Sequence, residues 1–253
     1  MPMSKPCNEA GSRGYFPSAV LSYASPNHTA SRRAAIPHMS AAEAETPASA
    51  APARRRPTGE ERKRQIVRVT LDLVARYGVG GTTTARIAAE TGVSERALYM
   101  HFPSRRDMLA AALELAFDRA NDVVRASAGT DPIERLRAIG RAHWPTVVRQ
   151  NDGFVYPLYE FIAAPASAGL RETISVRQMA SVRLLADIVE EGKQQGLVRP
   201  DANSEQVAWE LMSVYMSEDL AFLMGVEEFA TKGRSATMLE HILRDLLVTA
   251  PGR

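Results

Sequence analysis

The run Thr82-Thr83-Thr84-Ala85-Arg86-Ile87-Ala88-Ala89-Glu90-Thr91-Gly92-Val93-Ser94-Glu95-Arg96-Ala97-Leu98-Tyr99-Met100-His101-Phe102 decides the fold. It reads as two short helices, over about 83–91 and 95–102, meeting at a glycine. Thr83 suits the N-cap of the first, leaving its first amides near a phosphate. Gly92 permits a tight reversal, Val93 plugs the angle, and Ser94 caps the second helix. Ala97 is small enough for close helix approach, and Leu98 and Phe102, four apart, share a buried face. Glu95, Arg96, Tyr99 and Met100 then fall on freer sides. Two short helices at a glycine turn form the layout of a DNA-reading helix-turn-helix, although an ordinary helical hairpin shares the pattern.

Upstream, Thr58-Gly59-Glu60-Glu61 opens a helix with acidic groups in its first turn. Ile66, Val69, Leu73 and Tyr77 recur at helical spacing, and Gly78 stops the helix. Downstream, Pro103-Ser104 breaks the chain and caps a long helix over about 105–126. Helical patterns follow over about 132–150, 155–163, 170–195, 203–224 and 235–248, with no sustained β alternation and no internal repeat. The predicted class is all-α: a three-helix head over 58–104, then a larger helical domain over 105–253.

Residues 1–57 differ. They hold 8 of the 15 prolines, are rich in Ala and Ser, and show no period. They read as a disordered tail ending in a basic arm, Arg54-Arg55-Arg56. Met39 is a second plausible start, so residues 1–38 are either translated or an extension of the reading frame. The formal charge is +4 over 1–57, +4 over 58–106 and −6 over 107–253. A basic first part ahead of an acidic remainder suggests that one end meets a polyanion. The single cysteine, Cys7, excludes a disulfide framework and a multi-cysteine zinc site, and fits a reducing cytoplasm. No apolar run is long enough to span a membrane.

The quoted run, continued through Pro103-Ser104-Arg105-Arg106-Asp107-Met108-Leu109, resembles the entry signature of the tetracycline-repressor (TetR) family. The likeness covers residues 60–110 at motif level and is architectural beyond. Two positions depart from the family pattern: Arg105 stands where a lysine is usual, and Arg86 where an acid is often found. The resemblance implies a homodimer that places two recognition helices in successive major grooves of a palindromic operator. It also implies a C-terminal domain holding a pocket for a small-molecule effector. By motif position, Thr83, Tyr99 and Arg105 would hold phosphates and His101 would sit against the DNA backbone or simply pack. Bases would be read among Thr84, Glu95, Arg96 and Met100. The arm Arg54-Arg55-Arg56 would enter a minor groove or follow the phosphates, or act only as solubilising charge.

In the C-terminal domain the helix from 203 carries two apolar stripes. Val207, Leu211, Val214 and Ala221 make one; Ala208, Met212, Tyr215 and Phe222 make the other. A helix apolar on two sides faces a core and something else, here a second subunit. Leu211, Val214, Ala221, Met238, Ile242 and Leu246 are the expected interface, with a well-covered monomer as the alternative. Pocket candidates are His143, Trp144, Tyr156, Tyr159, Phe161, Met179, Arg183, Trp209, Met212 and Met216, many of which would be ordinary core. Arg183 or His143 would meet an acidic ligand group, or equally take a surface or paired role. Phosphate-loop, nucleophile-elbow and His-Glu-x-x-His patterns are absent, and no metal or cofactor is called for. The expected function is a transcriptional repressor released from DNA by an apolar or amphipathic ligand. The alternative is a DNA-binding regulator controlled by a protein partner or by abundance.

Overall fold

The computed structural model describes residues 57–127, 129–150 and 155–247. The chain clusters into two units, Met1–Ala53 and Arg54–Arg253; the first lies wholly outside the described residues. The expected disordered tail and the Arg54-Arg55-Arg56 arm fall outside them too. The described part is helical: α1 (Gly59–Gly81), α2 (Thr84–Thr91), α3 (Glu95–Tyr99), α4 (Arg105–Ala126), α5 (Pro132–Gln150), α6 (Val155–Ala163), α7 (Arg171–Gln194), α8 (Ser204–Leu223), α9 (Glu228–Thr231) and α10 (Arg234–Leu246). β-structure among the described residues is one isolated antiparallel bridge, Val198 to Leu247. None of the described helices is long and apolar enough to cross a membrane.

The helix starts follow local chemistry. Thr58 and Glu61 form a reciprocal capping box on α1, with Thr58 N–H donating to Glu61 Oε2 at 2.7 Å. Thr83, Ser94, Ser104 and Asn203 cap α2, α3, α4 and α8 through their side-chain oxygens. Asp131 Oδ1 accepts the amides of Ile133 and Glu134 at the head of α5. The regular part of α1 breaks at Gly78, where φ is 66° and ψ is 173°, a region open essentially to glycine alone. Tyr77, which shares the helical spacing of Ile66 and Leu73, is exposed, and the Arg86 guanidinium lies 4.6 Å from its ring centroid.

Three clusters of buried side chains are strung along α4. Ile66, Leu73, Ile87, Ala88, Leu98, Phe102 and Met108 form the core of the head. Leu71, Val74, Leu109, Leu113, Phe117, Leu158 and Phe161 join α1, α4 and α6. Leu136, Ile139, Leu185, Val189, Leu211, Tyr215 and Leu243 bind α5, α7, α8 and α10 together, with Val123 and Val124 of α4 packed against them. One helix therefore contributes Met108 to the head and Val124 to the body. At about 1.5 Å per residue those two positions are some 24 Å apart.

Candidate functional site

The head presents one exposed surface. Leu98 is turned inward and fully buried, which leaves Glu95, Arg96, Tyr99 and Met100 outside. At about 100° per residue these four span an arc of roughly 140°. Tyr99 is 47% exposed and Met100 80% exposed, high for an aromatic and a thioether side chain on a folded head. Thr83 is exposed at the start of α2, with Oγ1 accepting the Arg86 amide at 3.3 Å; Thr84 and His101 are half-buried. These residues lie on the helix-turn-helix segment, as the spacing requires.

Arginines near the head are more committed than their charge suggests. Arg105 donates from Nε to the Thr82 carbonyl oxygen at 2.7 Å and from Nη2 to the Val79 carbonyl oxygen. Arg86 donates from Nη1 to the Gly81 carbonyl oxygen at 2.6 Å while covering Tyr77. Both guanidinium groups thus tie down the 79–82 turn. Neither role is visible in the motif, because the carbonyls that they meet belong to the last turn of α1 and its C-cap, whose path depends on the break at Gly78.

Behind the head lies a cavity of about 60 Å³ enclosed by α4, α5, α6, α7 and α8. Phe117, Asn121 and Val124 come from α4, Ile139 and His143 from α5, Leu158 and Tyr159 from α6. Gln178, Ser181 and Leu185 come from α7, and Met212, Tyr215, Met216 and Asp219 from α8. Of the expected residues, His143, Tyr159, Met212 and Met216 are brought together here. The others are elsewhere. Phe161 is fully buried in the cluster that joins α1 and α4, because α6 turns that face toward them. Trp144 and Tyr156 both pack edge-on against Phe222, at 6.3 and 5.8 Å between ring centroids. Trp209 and Arg183 are exposed, and Met179 is half-buried on α7 away from the cavity.

One end of the cavity is polar. His143 Nδ1 and Glu218 Oε2 are 2.8 Å apart, both side chains buried, and the imidazole stacks on Tyr215 at 4.9 Å. His143 Nε2 is 3.7 Å from Asp219 Oδ1, too far for a hydrogen bond. Burial pushes the Asp219 carboxyl up to about 6; His143 opposes that shift and Glu218 adds to it. Burial, and then the Asp219 charge, raises the Tyr159 phenol well above its ordinary value. Tyr215 is raised by burial and then by Glu218. Asn121 Nδ2 donates to Ser181 Oγ at 2.9 Å. The sequence held a signal for the two acids: Glu218 continues the stripe through Val207, Leu211 and Val214, and Asp219 the one through Ala208, Met212 and Tyr215.

The expected interface residues divide in two. Leu211, Val214, Ala221 and Leu246 are buried inside the protomer, where α8 packs against α5, α7 and α10. Met238 is exposed and Ile242 half-buried. The outward side of α8 carries Trp209, Met216 and Leu220, at 38%, 36% and 43% exposure.

Residues 66–112 match the family profile of bacterial regulatory proteins, tetR family. The uncharacterized HTH-type transcriptional regulator YerO of Bacillus subtilis is 32% identical over 81 residues, which is 30% of this chain and 28% of YerO. The HTH-type transcriptional repressor KstR2 of Mycobacterium tuberculosis is 26% identical over 151 residues, 58% of this chain and 74% of KstR2. The match therefore spans under a third of the one relative and about three quarters of the other. In fold, the chain is similar to FadR of Bacillus subtilis, a transcriptional regulator solved in complex with stearoyl-CoA. The TM-score is 0.58 at 16% identity, over 72% of this chain and 98% of FadR. The capped helix-turn-helix and its exposed second helix agree with the tetR-family profile over residues 66–112, and the helical body built onto α4 agrees with the fold of FadR.

Proposed function

We propose that this protein is a cytoplasmic, homodimeric transcriptional repressor that leaves its palindromic operator when a small molecule occupies the cavity behind the head. The observation that carries the reading is the double role of α4. Its first turn holds the 79–82 turn through Arg105, and its later turns supply Phe117, Asn121 and Val124 to the cavity wall. A ligand that parts α4 from α7 and α8 thereby shifts the head. It moves the DNA-binding equilibrium by no more than its differential affinity for the two arrangements. FadR, alike in fold, holds stearoyl-CoA, which supports a body that accommodates effectors.

Thr83, Tyr99 and His101 would meet the DNA backbone; Thr84, Glu95, Arg96 and Met100 would face base edges; Arg54-Arg55-Arg56 would add charge from the arm. The two-fold contact would run through the outward side of α8, Trp209 and Leu220, together with Met238 and Ile242 on α10. A second reading, regulation by a protein partner or by abundance, draws on the size of the cavity. About 60 Å³ is well below the roughly 300–1,000 Å³ of a typical ligand site.

A salt-series titration against DNA upstream of the gene and its neighbours, with random duplex as control, tests the reading. One short palindromic site bound far above random duplex is the expected result. Equal, weak binding to every duplex, lost at moderate salt, would remove sequence-specific regulation.

A further inference from the structure

We infer that the cavity takes a lipophilic cation, an alkyl- or arylammonium whose N–H donors lie on Asp219 while its apolar part lies among Phe117, Leu185 and Met212. The inference rests on the proposal that this cavity is the effector site, and it fixes the sign of the effector's head group. Asp219 borders the cavity, is 6% exposed, and its Oδ1 accepts no hydrogen bond among the described residues. The Tyr215 hydroxyl on α8 and Gln178 Nε2 on α7, which also line the cavity, lack partners among the described residues too. A folded chain rarely leaves three such atoms together, because each gives up hydration without replacement.

Charge then selects the ligand. Two carboxylates, Glu218 and Asp219, share one imidazole, so the cluster stays acidic even when His143 is protonated. Among the described residues no lysine or arginine lines the cavity. Arg137 and Arg141, beyond Glu218, are paired with Glu134, and Arg137 also with Glu240. An anionic head would lie beside like charge with no cation to receive it. An ammonium supplies Asp219 with the missing donor and the missing counter-charge at once. Met212 and Met216, unbranched and pliable, let the wall admit tails of different shape.

Calorimetry on the full chain at pH 7.5 with hexylamine, hexanol and hexanoate provides the test and needs no operator. Hexylamine is expected to bind at least about tenfold more tightly than hexanoate, and Asp219→Asn to abolish most of that preference. The wild-type chain gives an independent readout. Near pH 6 hexylamine should release protons as Asp219 ionises, seen as a dependence of the heat on buffer, whereas hexanol should release none. Hexanol or hexanoate binding as tightly as hexylamine would overturn the cationic head group and leave the effector pocket standing. A preference that survives Asp219→Asn would move the head group off Asp219. Failure of all three compounds to bind at millimolar concentration would overturn both the head group and the pocket.

Discussion

Arg105, in the first turn of α4, donates from Nε to the carbonyl oxygen of Thr82, 2.7 Å away and 23 residues earlier in the chain. With the Val79 carbonyl on Nη2, the guanidinium fork fastens the long helix to the turn that leads into α2. Arg105→Gln removes fork and charge together. The expected outcome is a lower melting temperature, about 1–3 kcal/mol of lost stability, and weaker DNA binding with an unchanged salt slope. A slope smaller by about one would return Arg105 to the phosphates.

Tyr99 stands clear of the head core, so its removal leaves packing largely intact. Tyr99→Ala is expected to weaken operator binding roughly tenfold, about 1.4 kcal/mol, while stability moves by less than about 0.5 kcal/mol. Fluorescence anisotropy on operator DNA, paired with thermal denaturation, separates the two effects. Equal affinity in wild type and variant would take Tyr99 off the contact surface.

Asp219 makes stability depend on pH in a direction opposite to that of an ion-paired acid. Its carboxyl is raised from 3.8 to about 6 in the folded chain, so the folded state holds the proton longer than the unfolded state. Stability contributed at this position is therefore full below about pH 4 and declines as the pH rises through 6. The loss amounts to at most about 3 kcal/mol. Asp219→Asn should melt higher than wild type at pH 7, and the gap should close by pH 4. A gap that persists at pH 4 would point to packing rather than ionisation.

Two leucines of α8 separate assembly from folding. Leu220 is on the outward side and Leu211 is fully buried. Leu220→Asp is expected to yield a folded monomer by sedimentation velocity. Leu211→Ala should keep the wild-type oligomeric state at a cost of about 2–5 kcal/mol in stability. A dimer that survives Leu220→Asp would move the two-fold contact away from this stripe.

Much of this architecture is legible in sequence because it is local. Thr58, Thr83, Ser94, Ser104 and Asn203 each announce a helix start by chemistry that acts within three residues. The exposed side of α3 is legible for the same reason: once Leu98 points inward, the spacing puts Tyr99 and Met100 outside. What periodicity does not give is which neighbour a buried face meets. Both apolar stripes of α8 turn out to lie within the protomer, since α5, α7 and α10 all pack against it. The outward residues Trp209 and Leu220 lie on the opposite side of the helix and belong to neither stripe. Counting only apolar positions also passed over Glu218 and Asp219. Their burial depends on His143, 75 residues from Glu218 in sequence. Arg105 illustrates the same limit, because a motif fixes its place on α4 but not the carbonyls within its reach.

The small volume of the cavity has a kinetic consequence. The cavity has room for about four to six waters, so a molecule the size of a typical effector needs α4, α7 or α8 to move, and its entry waits on an opening of the body. The observed association rate should then climb with ligand concentration only to a plateau set by the opening frequency. Stopped-flow tryptophan fluorescence would read that ceiling directly through Trp144, which packs against Phe222 near the end of α8. Under the proposed mechanism, extra ligand past the ceiling brings no quicker response, and the delay before transcription begins would be a property of the resting protein.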